Sequence, residues 1–284
     1  MTQTAAHIAA ALAAARESDA RWTHIRALHQ QGDVQTLHAA TKLLDSKDPE
    51  QRELAVDILA QLGQGRKAGS GDCTLQEAAA DLLLPRLSTE EHPHPLQALA
   101  SAFGHLEDPR AIPLLVGLRQ HPNPDVRRGV VFGLLGHDNA NAVTALIDLS
   151  RDSEHTVRDW ATFGLGTRIA LDEPRVREAL RGRLYDTDGD ARAEAILGLA
   201  RRGDEGAIAP LMAELEGSDI GHLPALIEES LVTLGGRTVD PRICELIEAL
   251  ACAVEAIAPE EPLEDDIAAA LGRCRAINSS PTAA

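Results

Sequence analysis

The sequence predicts an all-α protein, an α-α superhelix of about seven to eight stacked helical pairs. Three observations predict it. First, apolar residues make up 44% of the 284 residues but aromatic residues only 2%, leaving mostly Ala, Leu, Ile and Val. Ala and Leu favour helices, whereas β-sandwiches and barrels draw on aromatic and alternating runs. Second, a Phe-Gly pair recurs at Phe103-Gly104, Phe132-Gly133 and Phe163-Gly164, in steps of 29 and 31 residues. Third, Asp-Pro recurs at Asp48-Pro49, Asp108-Pro109 and Asp240-Pro241. Asp at a helix N-cap with Pro at the first helical position is a start signal.

The elements follow in order. Residues 1–45 read as N-terminal capping helices. The apolar stretch Ile8 to Ala15 has no basic leader and runs into Arg16-Glu17, so it reads as a surface helix and not a signal peptide. No apolar run reaches the length of a membrane span. Repeats fill 46–217, interrupted by the Gly-rich segment GQGRKAGSGD over 63–72, which reads as a flexible loop. His92 opens HPHPLQALASAFGHL and His121 opens HPNPDVRRGVVFGLL. Each places Phe-Gly eleven residues after its His. Val126-Arg127, Val157-Arg158 and Ala191-Arg192 are followed, seven residues on, by Gly133, Gly164 and Gly198. Small residues at Gly129, Gly133, Ala161, Gly164, Ala195 and Gly198 would let neighbouring helices approach, which offsets the roughly 1 kcal/mol that Gly loses to Ala in a helix. Gly63, Gly203 and Gly217 read as stops. Residues 218–277 are expected to be degenerate or capping repeats, and 278–284 a disordered tail.

These strings resemble the HEAT-repeat family, in particular its short bacterial form with D-P-x-A-I-P-x-L followed by D-x-x-V-R. The matching stretches are Asp108 to Leu114, Asp125 to Arg127, Asp152 to Arg158, Asp190 to Arg192 and Asp204 to Leu211. The resemblance covers about 92–217 and 48–63, and fades over 1–45 and after 218. It implies that the V-R helices line a concave side. It also implies that Arg127, Arg158 and Arg192 form a structural ladder with acidic residues at the turns.

The phase of the V-R helix nominates a surface. Counting V as one, positions five, six and nine are expected to be buried, and three, four and seven open. Position four holds Leu54, Gly129, Trp160 and Glu194; position seven holds Asp57, Phe132, Phe163 and Leu197. Three of the six aromatic residues therefore fall on open positions of consecutive repeats: Phe132, Trp160 and Phe163. Trp160 and Phe163, three apart, share a helix face, and Arg128 and Asp159 flank them. Aromatic residues amid mixed charge suit a binding centre. Against this stands packing of each Phe onto the small residue of its neighbour.

Charge is uneven. The net is −17 overall, and residues 204–270 hold 16 acidic and 2 basic side chains, a net of −14. Residues 110–202 hold 14 basic and 13 acidic, a net of +1. The acidic end (Glu228, Glu229, Glu245, Glu248, Glu260, Glu261, Asp265 and Asp266) opposes phosphate backbones and would steer a basic partner.

Catalytic signatures are missing. The 11 histidines include His92 and His94, each before a Pro and so expected in a turn rather than on a metal-binding helix face. No His-Glu dipeptide occurs, so the resemblance does not extend to the HEAT-like deoxyhypusine hydroxylases. Alkylpurine DNA glycosylases of this architecture need a basic face, which three lysines (Lys42, Lys47 and Lys67) do not supply. Bilin lyase subunits have no compact motif to compare. Cys73, Cys244, Cys252 and Cys274 contain no C-x-x-C pair and no disulfide framework, which points to a reducing cytoplasm with Cys244 and Cys252 as small core residues.

The expectation is thus a cytoplasmic, non-catalytic scaffold or adaptor with no cofactor and no metal, holding a protein partner, possibly a basic one, in its concave groove. Two alternatives stand beside it: an enzyme acting on nucleic acid or on a modified protein, and an inhibitor or immunity-type protein using its acidic end.

Overall fold

The computed structural model describes residues 2–63, 72–216, 218, 220, 223–237, 240–258 and 262–279. Among these residues there are sixteen α-helices and no strand. The chain divides into two compact units, Met1–Leu149 and Ser150–Ala284.

The first unit holds α1 (Gln3–Ala13), α2 (Asp19–Gln31), α3 (Val34–Leu44), α4 (Pro49–Ala60), α5 (Asp72–Leu83), α6 (Pro93–Leu106), α7 (Ile112–Leu118), α8 (Pro124–Leu134) and α9 (Ala140–Leu149). Helices α2, α4, α6 and α8 pack side by side in one row, and the odd-numbered helices form a second row behind them. The starts obey the cap chemistry. Asp48 accepts from the Glu50 N–H at 3.0 Å, Asp108 from Arg110 at 2.9 Å and Asn123 from Asp125 at 2.8 Å. His92 is itself the N-cap of α6, and α6 takes Pro93, His94 and Pro95 into its first turn. The turn expected at His94 is therefore helix, because prolines in a first turn remove only amide groups that have no intrahelical partner.

Glycine sets the closeness of the α6–α8 contact. A Cβ at Gly129 would lie 2.6 Å from the Gln97 carbonyl oxygen, and one at Gly133 would run into the Ala100 carbonyl oxygen, both on α6. Phe103 is fully buried in this layer. Gly63 ends its helix at φ 82°, in the left-handed region. Most of the 63–72 segment, residues 64–71, lies outside the described residues, and α5 already begins at Asp72.

The second unit holds α10 (His155–Phe163), α11 (Pro174–Arg181), α12 (Gly189–Arg201), α13 (Ile208–Leu215), α14 (Ala225–Gly235), α15 (Pro241–Ile257) and α16 (Asp265–Ser279). Helices α10, α12, α14 and α16 form its row, with α11, α13 and α15 behind. The acidic region thus continues the same row. Gly203 ends a turn at φ 63°, while Gly217 lies outside the described residues. Helix α16 runs to Ser279, two residues into the segment expected to be a disordered tail; residues 280–284 lie outside the described residues.

Helix α10 ends in a π-helical turn over Gly164–Arg168. Arg202 anchors that turn. Its guanidinium donates to the carbonyls of Gly166 (3.1 Å), Gly198 (2.9 Å), Leu165 (2.8 Å), Ile169 (2.9 Å) and Leu171 (3.2 Å). These carbonyls are left over where the helical ladder is broken, and the fork-shaped cation gathers them. Burial pulls the Arg202 pKa below the usual arginine value, and Asp172, at 4.0 Å, offsets part of this.

Cys244 on α15 and Cys274 on α16 form a disulfide. Both are buried, whereas Cys252 is exposed and free. Cys244 is thus a core residue as expected but paired with Cys274, whereas Cys252, expected in the core, is exposed. Spacing along one helix cannot reveal a partner 30 residues away on the next.

Four arginines share one geometry. Arg52, Arg127, Arg158 and Arg192 each donate from Nη1 to the carbonyls six and five residues earlier, at 3.0 and 3.1, 2.8 and 3.2, 3.0 and 3.1, and 2.9 and 3.5 Å. Arg52 also pairs with Glu90 at 2.7 Å, Arg158 with Asp186 at 3.0 Å and Arg192 with Glu214 at 2.7 Å, each an acid of the following segment. Each arginine thereby closes the turn before its own helix, and these three pairs also tie one repeat to the next.

Candidate functional site

The V-R phase places the core correctly. Val130, Val131 and Leu134 on α8, Ala161 and Thr162 on α10 with Leu165 just beyond, and Ala195, Ile196 and Leu199 on α12 are all buried. Position four departs from expectation. Leu54, Gly129 and Glu194 are buried there, and only Trp160 is exposed, at 37%. Position four faces the neighbouring helix of the row, so a side chain there stays open only if it is too large to tuck in. At position seven, Asp57, Phe132 and Phe163 are half-buried and Leu197 is buried.

In the second unit Trp160 and Phe163 meet edge to face, with ring centroids 5.6 Å apart and planes at 86°. Asp159 precedes them, half-buried. Phe132 and Arg128 belong to the first unit, on α8, where Arg128 pairs with Asp125 at 3.0 Å. The aromatic column read from the sequence is therefore divided between the two units.

Two carboxylates of the second unit are held in uncomfortable places. Asp159 is pushed up to about 6 by burial, then by the charges of Asp190 and Asp188, with His155 offsetting part. Glu194 is pushed up to about 7 by burial and by Asp159, with the Thr167 hydroxyl and Arg201 opposing. The Thr167 hydroxyl donates to Glu194 Oε2 at 3.4 Å. Farther along the row, Glu228, Glu229 and Asp266 line a groove of about 580 Å³ between α14 and α16, with Glu264, Arg237 and Arg273. Glu229 pairs with Arg201. Glu245 and Asp265 are exposed and Glu248 half-buried, none of them lining the groove. Glu260 and Glu261 lie outside the described residues.

The first unit carries a site that the sequence reading passed over. A cavity of about 240 Å³ opens along the row, lined by Trp22, Arg16, Glu53, Asp57, Ser101, His105 and Arg128 among others. Trp22 is as exposed as Trp160, at 37%. Arg16 Nε donates to both Glu53 oxygens at 2.8 and 3.0 Å. Arg21 is 1% exposed, donates to Glu50 at 3.1 Å and stands 3.9 Å from Asp57. Burial and the Glu53 charge push Asp57 up to about 7 against the pull of Arg21 and Arg16. Trp22 precedes the recognisable repeats, so no motif marked it. Asp57 at position seven was its sequence signal.

Among the described residues, no three His, Cys, Asp or Glu side chains converge closely enough to hold a metal ion. No described helix is long and apolar enough to cross a membrane.

Two rows of antiparallel helices with repeated arginine rungs define an α-helical repeat protein. The HEAT-repeat family model matches residues 80–166 and 143–220, so this stretch of the chain belongs to the HEAT repeats. The chain is 29% identical to protein YibA of Escherichia coli K12 over 117 residues, and that match spans 41% of this chain and 40% of YibA. In three dimensions it is similar to the X-ray structure of E. coli YibA, with a TM-score of 0.66 and 17% identity over 97% of both chains. It is also similar to a chain of the Schizosaccharomyces pombe condensin Cnd3–Cnd2 subcomplex, with a TM-score of 0.55 and 14% identity over 97% of this chain and 44% of that one. At these identities the structures share the fold.

Proposed function

We propose that the protein is a non-catalytic scaffold or adaptor that holds a protein partner against the α10–α12–α14 row, with Trp160 and Phe163 at the centre of contact. The observation that carries this reading is the exposed Trp160, braced edge to face by Phe163. A rigid aromatic pair loses little conformational freedom on binding and contributes large apolar area, as binding hot spots do. Arg128 and Phe132, on the first unit, would be further partner contacts in their own right. The partner is basic: residues 204–270, with their net of −14, draw it in and raise the association rate more than the final affinity.

The test is the double variant Trp160→Ala/Phe163→Ala used as bait beside the wild type. With helicity unchanged by circular dichroism, loss of partner recovery supports the reading, and unchanged recovery removes it. Retention on heparin separates the nucleic-acid alternative. The acidic surface predicts early elution at neutral pH, whereas retention that persists at high salt would favour a nucleic-acid enzyme.

A further inference from the structure

Position seven of the row helices is aromatic or aliphatic at Phe132, Phe163 and Leu197, but a carboxyl at Asp57. The departure has company. Glu53, Asp57 and Gln61 stand four apart along α4 and its C-cap, and Gln97, Ser101 and His105 stand four apart along α6, so each trio follows one helix face. All six line the first unit's cavity of about 240 Å³, together with Ala60, Ala98, Ala102 and the Trp22 of α2. Two polar ladders thus share one hollow, and the alanines leave the room in it.

The hydrogen bonding of the hollow is incomplete. Gln97 Nε2 donates to Ser101 Oγ at 3.3 Å, Gln61 Nε2 and His105 Nε2 lie 3.1 Å apart, and Arg16 holds Glu53. The Asp57 carboxyl, in contrast, makes no hydrogen bond among the described residues, and its ion pair with Arg21 spans 3.9 Å. Arg21, 1% exposed, gives its Nη1 to Glu50, while its Nη2 is buried without a hydrogen bond. Buried polar groups left open are rare in folded proteins, and a site for a polar ligand is one place that keeps them.

Charge decides what kind of ligand. The hollow is lined by Glu17, Glu53 and Asp57 and by Arg16 and Arg128, with Arg21 beside Asp57, so an anion meets three carboxyls and a cation three guanidiniums. Neither sign gains. A neutral ligand that both gives and takes hydrogen bonds does, because Asp57 accepts, the arginines donate, and Ser101, Gln61 and Gln97 can do either. Burial and the Glu53 charge push Asp57 up to about 7, which lets it donate as well near neutral pH. Trp22, 37% exposed, adds a flat apolar wall suited to the C–H face of a saturated ring. The volume of about 240 Å³ lies below the roughly 300–1,000 Å³ of pockets for drug-sized molecules, and holds one ring rather than a chain of them.

We propose that this hollow binds a single neutral sugar ring or cyclic polyol, stacked on Trp22 and hydrogen-bonded to Asp57 and Ser101. The site lies wholly within the first unit and does not depend on the partner-binding role proposed for Trp160 and Phe163.

The probes are D-glucose, D-galactose, D-mannose, D-ribose and myo-inositol, each added alone to the full chain and read by saturation-transfer difference NMR. N-acetyl-L-argininamide and acetate serve as charged controls. At least one of the five should show saturation transfer, strongest at its ring C–H protons. Trp22→Ala and Asp57→Leu should each weaken its affinity about tenfold, the worth of a stacked face or of a hydrogen bond to a charged group, with helicity unchanged by circular dichroism. Asp57→Leu installs the side chain that α12 carries at the same position, Leu197, and the exposed Trp22 carries the test alone if that variant does not fold. Tyr185→Ser, on the second unit, should leave binding unchanged. No transfer from any of the five probes, transfer that survives both substitutions, or stronger transfer from either charged control overturns the site. Loss of partner recovery in Trp160→Ala/Phe163→Ala bears on the scaffold reading alone, and loss of sugar binding in Trp22→Ala on this site alone.

Discussion

Arg158 and Asp186 form a bidentate pair across 28 residues, with donor–acceptor distances of 3.1 and 3.0 Å and the Asp186 side chain only 4% exposed. Burial alone would push the Asp186 carboxyl up. The Arg158 hydrogen bonds, the Asp188 N–H and the charges of Arg158 and Arg183 more than reverse this and hold it at about 2. A carboxyl depressed in the folded state contributes stability that is present above its ordinary range and is lost as pH falls from about 4 towards 2. Asp186→Ala is expected to lower stability by roughly 3 kcal/mol, because it strands a half-buried Arg158. Urea unfolding of wild type and variant from pH 7 to pH 2.5 checks both statements, and the two stabilities should converge at the acid end.

Glu194 has the opposite sign. Its folded value of about 7 lies above the ordinary glutamate value of 4.5, so the folded state binds the proton more tightly than the unfolded chain. The favourable contribution is complete below pH 4.5 and lost as pH rises through 7. Glu194→Gln keeps an acceptor for Thr167 and removes the charge, so at pH 8 the variant should be more stable than wild type, by on the order of 2 kcal/mol. At pH 4.5 the two should match. Thermal melts at the two pH values read this directly; a variant less stable at pH 8 would mean that an unseen cation already neutralises Glu194.

Arg202 is the peg of the π-helical turn. Arg202→Ala leaves five carbonyls that the guanidinium now satisfies, three of them in the Leu165–Ile169 turn and its exit. The expected loss is about 3 kcal/mol or more, since buried acceptors without donors each carry a desolvation penalty. Arg202→Lys should recover little, because an ammonium cannot reach the same fork of acceptors. Hydrogen exchange should show the loosening first at residues 164–171, next to Trp160 and Phe163.

The Cys244–Cys274 disulfide makes a countable prediction. Unfolded protein without reductant should show two fewer reactive thiols than reduced, unfolded protein. Reduction should destabilise the α15–α16 end by roughly 3.5 to 4 kcal/mol, the loop-closure value for a separation of 30 residues. An unchanged thiol count would leave both cysteines as buried core residues.

What was legible in the sequence was whatever repeats. Phe-Gly, V-R and Asp-Pro recur because each marks the same place in a helical pair: a close approach, a turn-closing arginine, a helix start. The burial of Val130, Ala161 and Ala195 followed from that phase. Position four did not, because whether Glu194 is covered depends on the helix packed against it and not on its own helix. Trp22 stands outside the repeated strings, so periodicity assigned it no role. The π-helical turn after Phe163 and the cysteine pair arise from contacts between segments distant in sequence. The arginine rungs lay between these cases: Arg158 and Arg192 were marked by V-R and A-R, while Arg52 follows a Gln and was found only through Glu90.

The central claim is that Trp160 and Phe163 touch a basic protein. A photo-crosslinking phenylalanine analogue placed at position 163 tests it most directly, with the same analogue at Tyr185, which is 79% exposed on the second unit, as the control. Irradiation in the producing cells should give one discrete adduct from position 163, containing a protein of basic isoelectric point, and should give none from position 185. The adduct should disappear when Trp160→Ala is added. No adduct at 163, or the same adducts from both positions, would contradict the account.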